Sequence, residues 1–279
     1  MVRTRTPRRL VPCLAGGILG LLGLGSAAPA LAAGTLLLID APPAQPTLSV
    51  GATVRGWPSS PGSGRQDHVL LPAVDYGAPN GFFASTDDSI GWNLAPQFMD
   101  AEGVKTWQWG ARLWPQWGRS QHDAPPGAEH TGTQVLGELF ANVQALPFLL
   151  LQSGASFGSG LRRDGAQLEL GATTGLPIGG DLVGIGLAAS YANAAQLRGS
   201  FGVDPSGVTT TGAGAPPAWQ PSRGWQDWSL VISGEHKLSA DWSVSGQWLG
   251  ARLLGAAAAS PLTQSRFQPS FTLSLWRRL

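Results

Sequence analysis

The chain predicts an all-β fold, an antiparallel transmembrane β-barrel of about twelve strands, on three observations. An export signal opens the sequence, apolar and polar residues alternate in segment after segment, and the connections between those segments switch between long and short. In a strand, successive side chains face opposite sides, so a two-residue alternation means that one face meets an apolar medium and the other a polar one. A closed barrel with lipid outside and a polar lumen imposes that pattern on its strands.

The export signal comes first. Arg3, Arg5, Arg8 and Arg9 form a basic head, Leu10 to Gly25 is apolar and glycine-rich, and small residues then end in Ala30-Leu31-Ala32. A basic head, a short apolar run and an A-x-A site describe a cleaved signal peptide over 1–32. Cys13, the only cysteine, lies ahead of most of the apolar run and away from a lipidation position. The mature chain is therefore expected to hold no disulfide and no cysteine-ligated metal. Cleavage also removes four of the 18 basic residues and none of the 17 acidic ones, leaving 14 against 17. A net charge of −3 excludes a basic nucleic-acid binder.

No later apolar run reaches the ~20 residues of a spanning helix, and the strongest, Ala145 to Leu151, is broken by Pro147. A membrane span must then be made of strands. Charged residues are 13% of the chain, well under the ~25% of ordinary soluble domains. With 39 glycines and 12 tryptophans, the composition suits a barrel.

Residues 33–46 read as a periplasmic N-terminal segment and 47–279 as the barrel. Twelve strands are expected, at 47–57, 67–76, 81–86, 88–95, 105–115, 134–143, 147–157, 166–176, 182–192, 225–235, 241–251 and 267–277. The third and fourth fall short of the ~9–11 residues that a tilted spanning strand needs, so ten strands plus a short hairpin is the alternative. The fifth sets Trp107, Trp109, Ala111 and Leu113 against Thr106, Gln108, Gly110 and Arg112. In the ninth, Val183, Ile185, Leu187 and Tyr191 oppose mostly Gly, Ala and Ser, as a narrow lumen would require. The eleventh puts Trp242, Val244 and Trp248 outward, with Ser243, Ser245 and Gln247 inward. The last opposes Phe267, Pro269, Phe271, Leu273 and Leu275 to Gln268, Ser270, Thr272 and Ser274. Trp57, Trp225 and Trp242, near strand ends, are expected in the interfacial girdles. No sustained helical period is found.

Bacterial barrels have short periplasmic turns and longer extracellular loops. Counting back from a periplasmic C-terminus, the outer loops are 252–266, 193–224, 158–165, 116–133, 87 and 58–66. The inner turns are 236–240, 177–181, 144–146, 96–104 and 77–80. Nearly all the long connections fall in the outer set.

Catalytic and metal sites are not expected. His122 and His130 share an outer loop with Asp123 and Glu129, a set that suits zinc or copper and equally a solvated polar loop, which is the reading adopted. No nucleophile motif accompanies the serines, and Gly158-Ser159-Gly160 and Gly212-Ala213-Gly214 have no lysine or helix behind them to make a phosphate loop. Arg112, Glu138, Glu169, Asp227 and Glu235 fall on the inward parity, where charges line a water path or pair and plug the lumen. Arg162-Arg163-Asp164, on an outer loop, offers bidentate donors to lipopolysaccharide phosphates.

Several blocks resemble a known family in order and spacing. They are Val69 to Tyr76 followed by Gly81-Phe82-Phe83, then Gly91-Trp92-Asn93-Leu94, then Gly110-Ala111-Arg112 with Gly118-Arg119. Ser200 to Val203, a Trp-rich hairpin, Arg252 to Gly255 and Ser260-Pro261-Leu262 complete the series. Together they resemble the MipA/OmpV family of outer-membrane proteins over most of 47–279. Two departures stand out: Ala256 to Ala259 replaces an acidic residue usual in the family, and the chain ends in Leu279 rather than an aromatic residue. Arg277, on the outward parity, is expected to snorkel at the periplasmic interface. The resemblance implies an outer-membrane scaffold that binds a lytic transglycosylase and links it to a murein synthase, without cofactor or catalysis. A small channel or an uptake or adhesion protein is the alternative, and a soluble β-sandwich is a third.

Overall fold

The computed structural model describes residues 42–86, 89–94, 107–116, 132–146, 148–179, 181–204 and 216–279. These form twelve strands that close in sequence order, the first against the last. They are β1 (Thr47–Pro58), β2 (Gln66–Gly77), β3 (Phe82–Ser85), β4 (Ile90–Asn93), β5 (Trp107–Gln116) and β6 (Gln134–Leu146). The rest are β7 (Leu149–Ser159), β8 (Gly165–Ile178), β9 (Asp181–Ala192), β10 (Gly224–Lys237), β11 (Trp242–Leu253) and β12 (Phe267–Arg278). All neighbours run antiparallel, and β1 meets β12 from Ser49↔Arg278 to Gly56↔Phe271. Closure leaves no terminal edge strand, and the long strands pair their backbone groups with one another, as a lipid environment demands.

The expected alternation decides which face meets which medium. On β12, Phe267, Phe271, Leu273 and Leu275 are exposed while Gln268 and Ser274 are buried. The same holds on β6, with Val135 and Leu139 outside and Gln134, Glu138 and Asn142 inside. Exposed leucines at Leu70, Leu113, Leu168, Leu170 and Leu187 continue an apolar belt round the outside. In water so large a patch would drive association; in a bilayer it is the solvated surface.

Both ends of the barrel, Thr47 and Arg278, lie on one rim, called here the chain-end rim. The described turns on this rim are tight, as at Leu238–Asp241, where Ser239 Oγ accepts from the amides of Asp241 (3.3 Å) and Trp242 (3.2 Å). Trp242 stands there on the outer face opposite Arg277, whose guanidinium lies 5.9 Å from its ring centroid. That stacking holds the expected interfacial arginine. The opposite, long-loop rim carries two short helices where the sequence predicts loop. They are α1 (Ala194–Phe201) and α2 (Gly255–Ala258).

Trp57 corrects one expectation. It is 6% exposed and belongs to the interior rather than to the girdle. It shares the parity of Thr53, which is buried in the lumen and hydrogen-bonded to Ser274 (2.7 Å). Trp225 and Trp242 do face outward.

β3 and β4 are four residues each. They close as a low hairpin, with Ser85 N–H donating to the Ser89 carbonyl (2.9 Å). The wall between β2 and β5 is therefore shorter than elsewhere.

Candidate functional site

The interior of the barrel is the part that distinguishes this chain from a plain membrane cylinder. It is built by inward side chains whose burial changes along its length. On β10, Asp227 and Ser229 are buried, Val231 and Ser233 half-buried and Glu235 exposed. On β11, Leu253, Ala251 and Leu249 are buried, whereas Gln247, Ser245 and Ser243 are half-buried. On β8, Gln167 and Glu169 are buried, and Gly171, Thr173 and Gly175 are half-buried. All three strands agree on the direction. The lumen is a cup, filled at the long-loop end and accessible from the chain-end rim.

Two layers fill the blind end. The outer one is apolar. α1 begins at Asn193, whose side chain accepts from the Gln196 amide (2.9 Å) as a helix N-cap. One helical turn separates Leu197 from Phe201, so both fall on one face. That face packs with Ala192, Leu253 and Ala257, and all five are 0–2% exposed. Burying the leucine and phenylalanine side chains contributes about 1.5–3 kcal/mol each. The loops are tied over this cluster: Ser260 Oγ donates to the Phe201 carbonyl (2.6 Å) and Thr263 Oγ1 to the Ala257 carbonyl (2.6 Å). Gln134 Nε2 donates to the Gly160 carbonyl (2.5 Å), and Asn193 Nδ2 to that of Asp164 (2.9 Å).

Beneath it lies a charged and polar layer. Arg112 donates through Nε (3.1 Å) and Nη2 (2.9 Å) to Glu138 Oε1, with both side chains almost wholly buried. The pair sits on adjacent strands in direct register and lies under the Trp114 ring, 5.1 Å from the guanidinium. Gly154 makes room for it, since a Cβ there would stand 2.8 Å from Glu138 Oε1. Next along the wall, Glu169 lies opposite Ser190, and Ser190 opposite Asp227. Ser190 Oγ donates to Asp227 Oδ1 (3.2 Å) and Gln226 Nε2 to its Oδ2 (3.1 Å). Toward the open half, Thr173 Oγ1 donates to Gln152 Oε1 (2.6 Å).

Of the five expected inward charges, four are thus brought into the buried layer, while Glu235 stands at the open end. Between the two possibilities open for such charges, lining a water path or plugging the lumen, the burial selects the plug. A single arginine binds one of three carboxylates by a short pair, and a buried pair of this kind is specific rather than strongly stabilising.

Among the described residues, the remaining histidines do not converge. His68 faces outward beside Phe271, ring centroids 5.7 Å apart. At the chain-end rim, His236 Nδ1 lies 2.7 Å from Asp181 Oδ2. His122, His130, Asp123, Glu129 and Gly212 to Gly214 lie outside the described residues. Among the described residues no three His, Cys, Asp or Glu side chains are grouped to hold a metal ion. Arg162 and Arg163 are exposed on the turn between β7 and β8.

With the closed barrel and its filled cup established, comparison with known proteins places the chain. A family model described as MltA-interacting protein MipA matches residues 50–278. The chain belongs to the MipA family. That match spans every strand from β1 to β12, and with the apolar belt it makes this MipA-family chain an outer-membrane β-barrel. No protein of curated function matches the sequence. Among solved structures, Acinetobacter baumannii CarO2 is similar at 10% identity over 84% of this chain and 99% of that one, with a TM-score of 0.21. Pseudomonas aeruginosa OccK5 (OpdH) is similar at 9% identity over 84% and 98%, with a TM-score of 0.26. Scores this low carry nothing beyond the report of them.

Proposed function

We propose that this chain is a binding scaffold of the outer membrane that recruits a lytic transglycosylase from the periplasm and links it to a murein synthase. The observation that carries the reading is the family match, because the family is described by interaction with MltA. The geometry supports it in two ways. A lumen filled at one end suits a protein that binds rather than one that conducts, which weighs against the small-channel alternative. The tight turns of the chain-end rim also offer a surface that loses little freedom on binding. Trp92 Nε1 donates to the Asn80 carbonyl (2.9 Å), and Asn80 Oδ1 accepts from the Phe82 amide (3.1 Å), so the turn before β3 is pinned as well.

In this reading the chain-end rim faces the periplasm, residues 1–32 are removed on export, and 33–46 lie beside the partner. Binding, not catalysis, is the activity. Arg162 and Arg163 on the opposite rim contact lipopolysaccharide phosphates. The test is a pull-down from solubilised envelopes with crosslinkers placed at Leu238, Ser239 and Asn80. Recovery of murein enzymes above the level given by an unrelated barrel supports the scaffold, and recovery at that level refutes it. N-terminal sequencing of the exported protein should begin at Ala33.

A further inference from the structure

The outward row of β11 crosses the apolar belt from one cation to another. Its residues are Trp242, Val244, Gly246, Trp248, Gly250 and Arg252. At the chain-end rim the cation is Arg277, which lies over Trp242. Ten positions on from Trp242, Arg252 stands in the same row, between Trp228 of β10 and Phe267 of β12. A strand rises about 3.3 Å per residue. At the roughly 35–45° tilt of such barrels the two levels lie about 23–27 Å apart, and the apolar band is about 25 Å tall. Arg252 therefore stands at the far headgroup level, on the surface that meets lipid.

Arg277 has a ring to lie on, and Arg252 is exposed. Among the described residues no carboxylate pairs with Arg252 and no ring stacks on its guanidinium. The neighbouring sequence is poor in counterions. Residues 242–279 hold four arginines and no aspartate or glutamate, and 205–222 carry no charge. Asp227, next to Trp228 on β10, is buried on the lumen side, where Ser190 and Gln226 donate to it. Two further arginines flank the position. Arg223 and Arg266 stand exposed immediately before β10 and β12. The Arg266 carbonyl accepts from the Leu253 amide (2.9 Å), which fixes its backbone beside the end of β11.

On the membrane side of Arg252 the surface is aromatic and flat. A Cβ on Gly250 would stand 2.4 Å from the Trp248 ring and 3.1 Å from that of Phe267. Both rings therefore lie down over the bare backbone of Gly250, with their centroids 6.4 Å apart. Trp228, Trp248 and Phe267 are all exposed to the surroundings. Aromatic rings of this kind suit the boundary between acyl chains and headgroups. The cation above them suits an oxyanion, because a guanidinium donates two parallel bonds to a phosphate. Such a pair is stronger at the headgroup boundary than in bulk water.

We propose that Arg252, flanked by Arg223 and Arg266, binds a phosphate of lipid A, the phosphorylated glycolipid of the outer leaflet. The first carbons of its acyl chains lie on Trp228, Trp248 and Phe267. Three cations match the two phosphates of lipid A better than the single phosphate of a phospholipid. That this rim meets the outer leaflet rests on the orientation adopted above, and the site needs no murein enzyme. It is separate from Arg162 and Arg163, whose turn leads into β8, three strands from β11.

The test uses the full-length protein folded into dodecylmaltoside micelles and titrated with bisphosphorylated lipid A. Retained lipid is counted by native mass spectrometry, with dephosphorylated lipid A and phosphatidylglycerol as comparison ligands. The unaltered protein should hold bisphosphorylated lipid A roughly tenfold more tightly than either. Arg252→Gln should weaken that binding by about tenfold, and Arg252→Lys, which keeps the charge without the fork, by about threefold. Binding of dephosphorylated lipid A should be unchanged in both. Folding of each variant is checked by heat-modified gel mobility. Equal retention of phosphorylated and dephosphorylated lipid A overturns the proposal, as does undiminished affinity in folded Arg252→Gln. Phosphatidylglycerol held as tightly as lipid A overturns the glycolipid assignment. A micelle has no leaflets, so these results do not depend on how the barrel faces. A reversed barrel would instead be revealed by protease access to the Leu238–Asp241 turn in intact cells.

Discussion

The two halves of the lumen solve opposite problems with the same strands. Toward the long-loop rim, β10 and β11 bury Asp227, Ser229, Ala251 and Leu253 beneath α1. A few residues further along, the same strands leave Ser233, Glu235, Ser243 and Gln247 within reach of solvent. The difference lies in what the strands are connected by. Long connections return chain to the mouth and fill it, whereas tight turns hold only the rim together and leave the space above them open. Polar residues face inward in both halves, so inward polarity by itself does not make a pore.

The largest effect should come from breaking the buried layer. Arg112→Ala removes the guanidinium that pairs with buried Glu138 in the blind half, and should destabilise the barrel by about 3–5 kcal/mol in urea unfolding from micelles. A loss under about 1 kcal/mol would mean that water already reaches that layer. Leu197→Ala leaves a cavity in the apolar layer and should cost roughly 2–4 kcal/mol, with discrete conductance appearing in planar bilayers where the unaltered protein should show none. On the outer surface, Leu139→Arg should cost about 2–4 kcal/mol, against at most about 1 kcal/mol for Leu176→Arg near the chain-end rim. Equal costs would show that the apolar belt is misplaced along the barrel.

In the open half, losses should be small. Thr173→Ala removes the bond to Gln152 and should cost about 1 kcal/mol. Asp181→Asn, which removes the charge beside the exposed His236, should cost less than about 1 kcal/mol. If these exceed the effect of Arg112→Ala, the contrast between the halves is wrong.

All twelve strands were legible because alternation survives averaging along ten or more residues. Even β3 and β4, too short for a firm pattern, were placed within three residues of their ends. The inward charges were legible from parity, and their burial was not, because parity says which side a residue faces and not what lies above it. The plug was missed for that reason. α1 offers only Leu197 and Phe201 to the core, one turn apart, too brief for a helical period, although Asn193 with its cap position was a usable sign. Trp57 was misplaced because a tryptophan near a strand end was assigned to the girdle without counting back to Thr53.

The central claim is a lumen closed at the long-loop end and open at the chain-end rim, and the most direct test compares two inward serines on β10. Ser229→Cys and Ser233→Cys are each treated with a hydrophilic maleimide in the folded protein. Ser233→Cys should label rapidly, and Ser229→Cys only after unfolding. Equal, rapid labelling of both in the folded barrel would contradict the account.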